Sequence, residues 1–196
     1  MRKLILQIQM SVDGFIADAL GKSGWMIWNW GSDWKWDAAL QQYHHDISSS
    51  VDCVLLSRKM AEEGFIHHWA SVALQQNNPQ SGFAAAIAKT RKVIFTRTLE
   101  QSVWPNATLA KGDLAKEVYQ LKTAPGKNII AYGGASFAAS LVQADLVDEF
   151  HLIINPALLG SGLSVFHSIR DIYSLSLINS VAYPCGVVVT TYSRKR

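Results

Sequence analysis

The stretch KNIIAYGGASFAASLVQ, residues 127–143, carries the strongest structural signal in the chain. Its first part, residues 128–132, is short and apolar, as in a buried strand. Gly133 and Gly134 end this run, and small and apolar residues with helix-compatible spacing follow. A strand that turns through two glycines into a helix can bring backbone N–H groups close to a ligand, and the helix N-terminus favours phosphate. The stretch therefore predicts a nucleotide site, with a strand–helix turn that binds nothing as the alternative.

The composition limits the class of protein. The chain has 196 residues, of which 49% are hydrophobic, and a net charge of +3. This length predicts a single domain, residues 1–196, and the small charge argues against a nucleic-acid partner. The sequence has no apolar run of 18 residues, no cleavable signal peptide and two cysteines far apart, at 53 and 185. We therefore expect a cytoplasmic protein with reduced thiols and no membrane association.

Periodicity predicts strands that alternate with helices up to residue 143 and antiparallel strands after it. The expected strands are 3–10, 52–56, 91–95, 107–110, 128–132 and 146–155. The expected helices run from Ser32 or Asp33 to about Ile47, from Ser57, over about 82–89 and over 113–123. Pro184-Cys185-Gly186 predicts a hairpin turn between the β-rich runs 175–183 and 187–193. Together these predict one α/β domain.

The sequence lacks the usual signatures of several enzyme classes. It contains no Gly-x-Gly-x-x-Gly after the first strand, no Walker-type loop, no His-Glu-x-x-His, no Cys-x-x-Cys and no Gly-x-Ser-x-Gly. The paired histidines 44–45 and 67–68 are adjacent, so on a helix they point in different directions. We therefore expect no metal site.

Three predicted strands end in groups that suit a phosphate. Ser57-Arg58 follows one strand, Thr96-Arg97 follows another, and Gly133-Gly134 follows a third. Each arginine by itself is typical of a solvated surface. Parallel strands, however, deliver their carboxyl ends to one edge of a sheet, so these three groups are expected to converge there.

Five segments in series resemble the RibD C-terminal reductase group of the dihydrofolate reductase superfamily. They are SVDGFIA (11–17), VLLSRKM (54–60), VIFTR (93–97), IIAYGGASF (129–137) and LVDEFHLIINPALLGSG (146–162). The resemblance covers nearly the whole chain. It implies a dihydrofolate reductase-like three-layer fold, in which helices flank a mixed, mostly parallel central sheet and a C-terminal antiparallel hairpin follows. It also implies NADPH as the hydride donor and a link to riboflavin biosynthesis.

The same resemblance assigns cofactor-binding roles by position. The pyrophosphate would be held by Gly133, Gly134, Ala135 and Ser136, with Phe137 beside them. The 2′-phosphate would be met by Thr96 and Arg97, with help from Ser57, Arg58 and Lys59. The nicotinamide side would be lined by Ser11, Asp13 and Gly14. The family usually has Gly-Arg-x-Thr where this chain has Ser57-Arg58-Lys59-Met60, so the hydroxyl expected at position 60 is missing.

Residues 25–36 hold five of the seven tryptophans and fall where the family has its substrate wall. Trp25, Trp28 and Trp30 are therefore candidates for stacking a flat heterocycle. An aromatic core plug and a dimer contact are the alternatives. Asp37 lies about where dihydrofolate reductases carry an acid on the first helix, so either Asp37 or water is expected to supply a proton.

The sequence thus predicts an NADPH-dependent reductase. Its substrate would be a small planar heterocycle or a carbonyl or imine compound, similar to a riboflavin-pathway pyrimidine or a pterin. One alternative is a nucleotide-binding protein that keeps the fold without turnover, which the Met60 departure supports; another is an oligomeric structural protein. Apolar residues in the late strands and in the tryptophan segment predict a homodimer.

Overall fold

The computed structural model describes residues 1–27, 37–167, 169–170 and 172–195. The strands are β1 (Leu4–Ser11), β2 (Val51–Ser57), β3 (Arg91–Phe95), β4 (Ala107–Ala110), β5 (Asn128–Tyr132), β6 (Glu149–Asn155), β7 (Leu175–Ala182) and β8 (Val188–Arg194). The helices are α1 (Ala38–Ser49), α2 (Arg58–Glu62), α3 (Phe65–Val72), α4 (Ser81–Lys89), α5 (Leu114–Thr123) and α6 (Ala135–Gln143). The predicted mixed and mostly parallel α/β fold with a C-terminal antiparallel hairpin is confirmed.

The chain divides into two compact units. Unit 1 comprises Met1–Leu4 and Gln41–Gly134, and unit 2 comprises Ile5–Leu40 and Ala135–Arg196. The single-domain organisation of residues 1–196 stays a prediction. Within the described residues, no helix is both long enough and apolar enough to cross a membrane.

Unit 1 is built on four parallel strands in the order β4-β3-β2-β5. The strands β2 and β5 are almost continuously apolar and buried, from Val54 to Leu56 and from Ile129 to Ala131. This pattern is typical of parallel strands that are covered on both faces. Helices α3 and α4 bury apolar residues of their own, and Trp69 packs edge-on against Phe83 with ring centroids 4.9 Å apart.

Unit 2 is built on the strands β1, β6, β8 and β7 in that order. Strand β6 is parallel to β1 and antiparallel to β8. The prediction that all strands after residue 143 are antiparallel is therefore wrong for β6. The chain reaches β6 through a helix, and such a crossover leaves the strand free to run parallel to its neighbour, whereas a hairpin does not. Consequently Ser11 and Asn155 are partners in the register and both strands end at the same edge.

The first helix begins later than the sequence predicts. Helix α1 begins at Ala38, and the carboxylate of Asp37 accepts a hydrogen bond from the backbone N–H of Leu40 at 2.8 Å. This is the N-cap bond that stabilises a helix start, so Asp37 takes the place predicted for Ser32 or Asp33. Those two residues lie outside the described part of the chain.

The predicted hairpin turn is confirmed between β7 and β8. Gly186 has a φ of +92°, and the N–H of Tyr183 donates to the carbonyl of Val187 at 2.8 Å. Glycine tolerates this left-handed conformation without a steric penalty. Strand β7 is largely exposed, although the sequence LSLINSVA is rich in apolar residues.

Lys92 is a charged residue in the core of unit 1. Its side chain is only 1% exposed, and its Nζ donates to the carbonyl of Ala88 at 2.6 Å, near the C-terminus of α4. Burial lowers the pKa of Lys92 from 10.5 to about 8. The folded protein therefore releases this proton at a lower pH than the unfolded chain does, and the group reduces stability at neutral pH.

We predict that Lys92→Met stabilises the protein at pH 7 by about 1–3 kcal/mol, because it removes the cost of burying a charge. Between pH 8 and pH 10.5 the wild type should gain stability, since only its unfolded chain still holds the proton there. The variant should lack this gain, and chemical denaturation at several pH values measures both effects. Lys89→Met is the control, because Lys89 is exposed in the last turn of α4. A Lys92→Met protein that is less stable at pH 7 would contradict the prediction.

Candidate functional site

The carboxyl ends of β2, β3 and β5 meet at one edge of unit 1. Ser57 pairs with Phe95 in the parallel register, and Leu56 pairs with Tyr132. The residues that follow these strands, Thr96 and Gly133, therefore emerge at the level of Ser57. The predicted convergence of the three strand ends is confirmed.

Gly134 leaves open space at this edge. It is exposed, its φ lies outside the left-handed region, and a Cβ built on it would meet no atom of the described residues within 4 Å. The backbone conformation therefore does not require glycine here. The physical consequence of the missing side chain is room in front of the main chain.

Helix α6 begins directly after Gly134. Its first residues are Ala135, Ser136 and Phe137, and its first turn carries no acidic side chain. Ser136 is exposed, and its carbonyl accepts a hydrogen bond from the hydroxyl of Ser140 at 2.8 Å. The positive end of the helix dipole is thus not compensated by a carboxylate of its own first turn.

Arg97 is the cation at this edge that stays available for a ligand. It is exposed, and it has no ion pair or side-chain hydrogen bond with the residues that the structure describes. The nearest acid in the sequence, Glu100, pairs with Lys111 at 2.9 Å. Arg97 therefore keeps its full set of donors for an anion.

Arg58 and Lys59 carry charges that are already paired. The guanidinium of Arg58 donates to both carboxylate oxygens of Glu62, at 2.8 and 2.9 Å, and Lys59 lies 3.6 Å from the carboxylate of Glu63. All four side chains are well exposed, so these pairs are weak. They nevertheless lower the net positive charge that the two residues bring to the edge.

Two hydroxyl oxygens at the edge are used to shape the backbone. The Oγ of Ser57 accepts from the N–H of Met60 at 3.2 Å and caps α2. The Oγ1 of Thr96 accepts from the N–H groups of Thr98 and Leu99, both at 3.1 Å. These are local turns of the kind that serine and threonine favour, and both residues thus fix the course of the chain beyond the strands.

In unit 2, Asp13 joins two loops at the ends of β1 and β6. Its carboxylate accepts from the Ser11 hydroxyl at 2.6 Å and from the N–H groups of Leu159 and Gly160 at 3.0 and 2.7 Å. The hydrogen bond from Ser11 and then that from Gly160 hold the pKa of Asp13 below its usual value. Gly14 follows with a φ of +87°, and its N–H donates to the carbonyl of Ser11 at 3.0 Å. Asp13 is therefore engaged by the protein itself and stabilises the loop pair.

Backbone contacts extend this junction. The N–H of Ile16 donates to the carbonyl of Leu163, and the N–H of Leu163 donates to the carbonyl of Ala17, at 2.8 and 2.9 Å. A Cβ on Gly162 would lie 2.1 Å from the Ala17 carbonyl oxygen. Glycine is thus required at position 162 for the two loops to approach each other.

Asn155 is a residue that the sequence analysis missed. It is fully buried, and its Oδ1 accepts from the N–H of Ile27 at 2.8 Å. The bond links the end of β6 to Ile27, near the start of the tryptophan-rich residues 25–36. The available signal was a polar residue at the end of an apolar strand, directly before Pro156.

Of the three candidate tryptophans, the structure describes Trp25. Its side chain is half-buried, and its indole N–H donates to the carbonyl of Lys22 at 3.2 Å. The indole N–H of Trp25 is therefore used within the protein. Trp28 and Trp30 lie outside the described residues.

Asp37 has two backbone donors. Besides the N–H of Leu40, its carboxylate accepts from the N–H of Cys185 at 3.2 Å, in the turn between β7 and β8. Burial by itself would raise the pKa of Asp37, but these hydrogen bonds outweigh burial and the pKa lies below its usual value. Both hydrogen bonds favour the ionised form of the carboxylate, which suits a helix cap.

No group of three or more histidine, cysteine, aspartate or glutamate side chains comes together to hold a metal ion within the ranges that the structure covers.

Proteins of known sequence and structure are similar to this chain. The protein YyaP of Bacillus subtilis (strain 168) is 28% identical over 193 residues, which are 97% of this chain and 94% of YyaP. A riboflavin biosynthesis protein of Shewanella sp. PV-4 superposes with a TM-score of 0.71 at 22% identity, over 99% of both chains. The diaminohydroxyphosphoribosylaminopyrimidine deaminase/5-amino-6-(5-phosphoribosylamino)uracil reductase of Thermotoga maritima gives a TM-score of 0.64 at 17% identity. That match covers 99% of this chain and 57% of the Thermotoga chain.

The two structural neighbours show the fold, and it is the predicted dihydrofolate reductase-like fold of RibD-type proteins. The family is shown by the sequence, because the model of the RibD C-terminal domain matches residues 2–189. The chain therefore belongs to the RibD C-terminal domain family.

Proposed function

We propose that the protein is an NADPH-dependent reductase that transfers a hydride to a small planar heterocycle or to a related carbonyl or imine compound. The family supports an oxidoreductase. The observation that carries the cofactor assignment is the edge of unit 1, where Gly134 leaves open space and Arg97 keeps its donors available. A dinucleotide phosphate needs both features, room at the main chain and a cation for the extra phosphate.

NADPH, when bound, supplies the hydride. The chain's own residues would bind and orient it: Gly133 and Gly134 would leave room for the pyrophosphate, and the N-terminus of α6 would attract it. Arg97 would meet the 2′-phosphate. Ser57 and Thr96 would fix the backbone on which these groups stand, because their hydroxyl oxygens cap the turns beyond β2 and β3.

A protein of the same fold suggests the class of acceptor. The Thermotoga protein, which shares the fold, is described as a 5-amino-6-(5-phosphoribosylamino)uracil reductase. A substituted pyrimidine of this kind is therefore the first compound to test. Trp25 would stack on the flat ring, whereas Ser11, Asp13 and Gly14 would lie on the nicotinamide side of the cofactor.

Water supplies the proton in this proposal. The sequence left the proton donor open between Asp37 and water, and the engagement of the Asp37 carboxylate by the N–H groups of Leu40 and Cys185 favours water.

A nucleotide-binding protein without turnover is the second candidate. Met60 favours it, because the family's usual threonine would add a hydroxyl at this edge. The direct experiment is to mix the protein with NADPH and 5-amino-6-(5-phosphoribosylamino)uracil and to follow NADPH absorbance. Oxidation of NADPH supports the reductase, whereas NADPH binding without oxidation of any pyrimidine or pterin supports the second candidate.

We predict that Gly134→Val abolishes NADPH binding and leaves the protein folded. The valine side chain would enter the open space in front of the main chain, where the pyrophosphate is proposed to bind. Gly82→Val is the matched control, because a Cβ at Gly82 also meets nothing within 4 Å among the described residues. Calorimetric titration with NADPH compares the two variants. Wild-type affinity in folded Gly134→Val would remove the pyrophosphate site from this turn.

We predict that Arg97→Ala weakens NADPH binding by about one to two orders of magnitude, as expected for a charged hydrogen bond of 1.5–3 kcal/mol. NADH lacks the 2′-phosphate, so its affinity should stay nearly the same. Arg91→Ala is the control, since Arg91 is an exposed arginine at the opposite end of the same strand, β3. Titration of both cofactors against both variants measures the selectivity. Equal losses of affinity for NADPH and NADH would show that Arg97 does not contact the 2′-phosphate.

We predict that Asp37→Asn keeps turnover within about threefold of the wild type, because general acid catalysis contributes far more than this and is not assigned to Asp37. Asparagine caps a helix about as well as aspartate, so the fold should persist. Asp113→Asn, at the N-cap of α5, controls for the loss of a capping charge. A fall in turnover of roughly two orders of magnitude or more, with unchanged NADPH affinity, would instead make Asp37 the proton donor.

We also propose a homodimer in which β7 lies at the contact with a second copy of the chain. Strand β7 pairs with β8 and with no other strand of the described residues, and Leu177 and Ile178 are 61% and 53% exposed on it. An open edge strand with apolar side chains favours pairing with another chain.

Light scattering should therefore give twice the mass of one chain for the wild type and the single mass for Ile178→Lys. Leu74→Lys is the control, because Leu74 is 84% exposed after α3. A wild type that is monomeric at micromolar concentration would contradict the proposal.

A further inference from the structure

Asn155 is a fully buried polar side chain at the end of β6 in unit 2. It lies opposite Ser11 in the register of β1 and β6. Most buried strands have an apolar residue at such a position. A buried amide lowers the free energy of unfolding unless its hydrogen bonds are made. The contacts of this amide therefore indicate what it does.

Both ends of the amide match their surroundings. The Oδ1 atom accepts from the N–H of Ile27 at 2.8 Å, which is the short and well-formed bond. The Nδ2 atom faces three oxygens, the Oε1 of Gln9 and the carbonyls of Met10 and Ile153, at 3.3–3.5 Å. A flipped amide would set donor against donor at Ile27, so this orientation is the one that the surroundings allow.

The bond to Ile27 fixes one end of residues 18–27. Other hydrogen bonds hold the beginning of this segment. The carboxylate of Asp18 accepts from the N–H groups of Leu20 and Lys22, both at 2.8 Å. The carbonyl of Lys22 in turn accepts from the indole of Trp25. Ile27 is bonded to a residue 128 positions away, in the sheet. The side chain of Asn155 thus links the backbone next to Trp25 to strand β6.

We propose that Asn155 is a positioning residue for the acceptor. By holding the backbone of Ile27 to the end of β6, it fixes the Trp25 ring as a stacking surface for a flat heterocycle. The proposal rests on the reductase function proposed above. Because the proposal links Asn155 to Trp25 and not to the residues that would bind the phosphates of NADPH, a substitution of Asn155 should weaken acceptor binding and change the affinity for NADPH little.

Two substitutions test the roles of the oxygen and the nitrogen of the Asn155 amide separately. Asn155→Leu is similar in size and removes the acceptor for Ile27, whereas Asn155→Asp keeps an oxygen for Ile27 and removes the donor. Asn128→Leu is the matched control. Asn128 also accepts one long-range backbone N–H, that of Lys3 at 3.1 Å, but it lies at the amino end of β5 in unit 1.

The measurements are the KM for 5-amino-6-(5-phosphoribosylamino)uracil, the Kd for NADPH, and hydrogen exchange at the amide of Ile27. We expect Asn155→Leu to raise the KM about tenfold or more, as misplacement of a binding group does, with the NADPH Kd within about twofold. Exchange at Ile27 should accelerate in this variant and stay slow in Asn155→Asp. Asn128→Leu should leave the KM and the Ile27 exchange unchanged.

Three results would overturn the proposal: an unprotected Ile27 amide in the wild type, an unchanged KM in folded Asn155→Leu, or equal losses of acceptor and NADPH binding. The exchange measurement on the wild type needs no variant. It therefore tests the proposal even if Asn155→Leu does not fold. A wild type that binds NADPH without oxidising it would instead contradict the reductase function. In that case the Kd of the uracil compound, read from tryptophan fluorescence, replaces the KM and still tests Asn155.

Discussion

The parallel register of the strands is the constraint on which the candidate site depends. In unit 1 the pairing of β2 with β3 and β5 brings Ser57, Thr96 and Gly133 to one edge. In unit 2 the pairing of β1 with β6 does the same for Ser11 and Asn155. A shift of one residue would exchange the side chains between the two faces and disrupt their packing, so close packing of the apolar strands holds the register. The geometry of the polar edges is thus a consequence of the core.

The sequence predicted this framework well, because the signals are local. Short segments with three to five apolar residues each marked β2, β3 and β5, and the glycine pair marked the turn before α6. The direction of β6 was not predictable in this way. Parallel and antiparallel strands carry similar residues when one face is buried, and the choice depends on the path of the connecting chain.

The candidate site was harder to predict, because sequence patterns give the residue type at a strand end and not its hydrogen-bond partner. Asp13 and Asp37 are acidic residues near family motifs, and the sequence assigned both to ligand chemistry. The structure shows both carboxylates engaged by backbone N–H groups, those of Leu159 and Gly160 in one case and those of Leu40 and Cys185 in the other. In three of these four bonds the donor is far from the acid in the sequence, so no local pattern reveals it.

Most polar side chains at the strand ends are bonded within the protein, which limits the groups that could contact a ligand. Serine, threonine and aspartate at the strand ends give their acceptor atoms to the backbone, and Arg58 and Lys59 are paired with glutamates of their own helix. Among the described residues, Gly134 leaves open space and Arg97 has an exposed guanidinium that could contact a ligand. Recognition would then depend on a few contacts held in place by many internal ones. The internal bonds reduce the freedom that binding would otherwise have to remove, which is the physical basis of preorganisation.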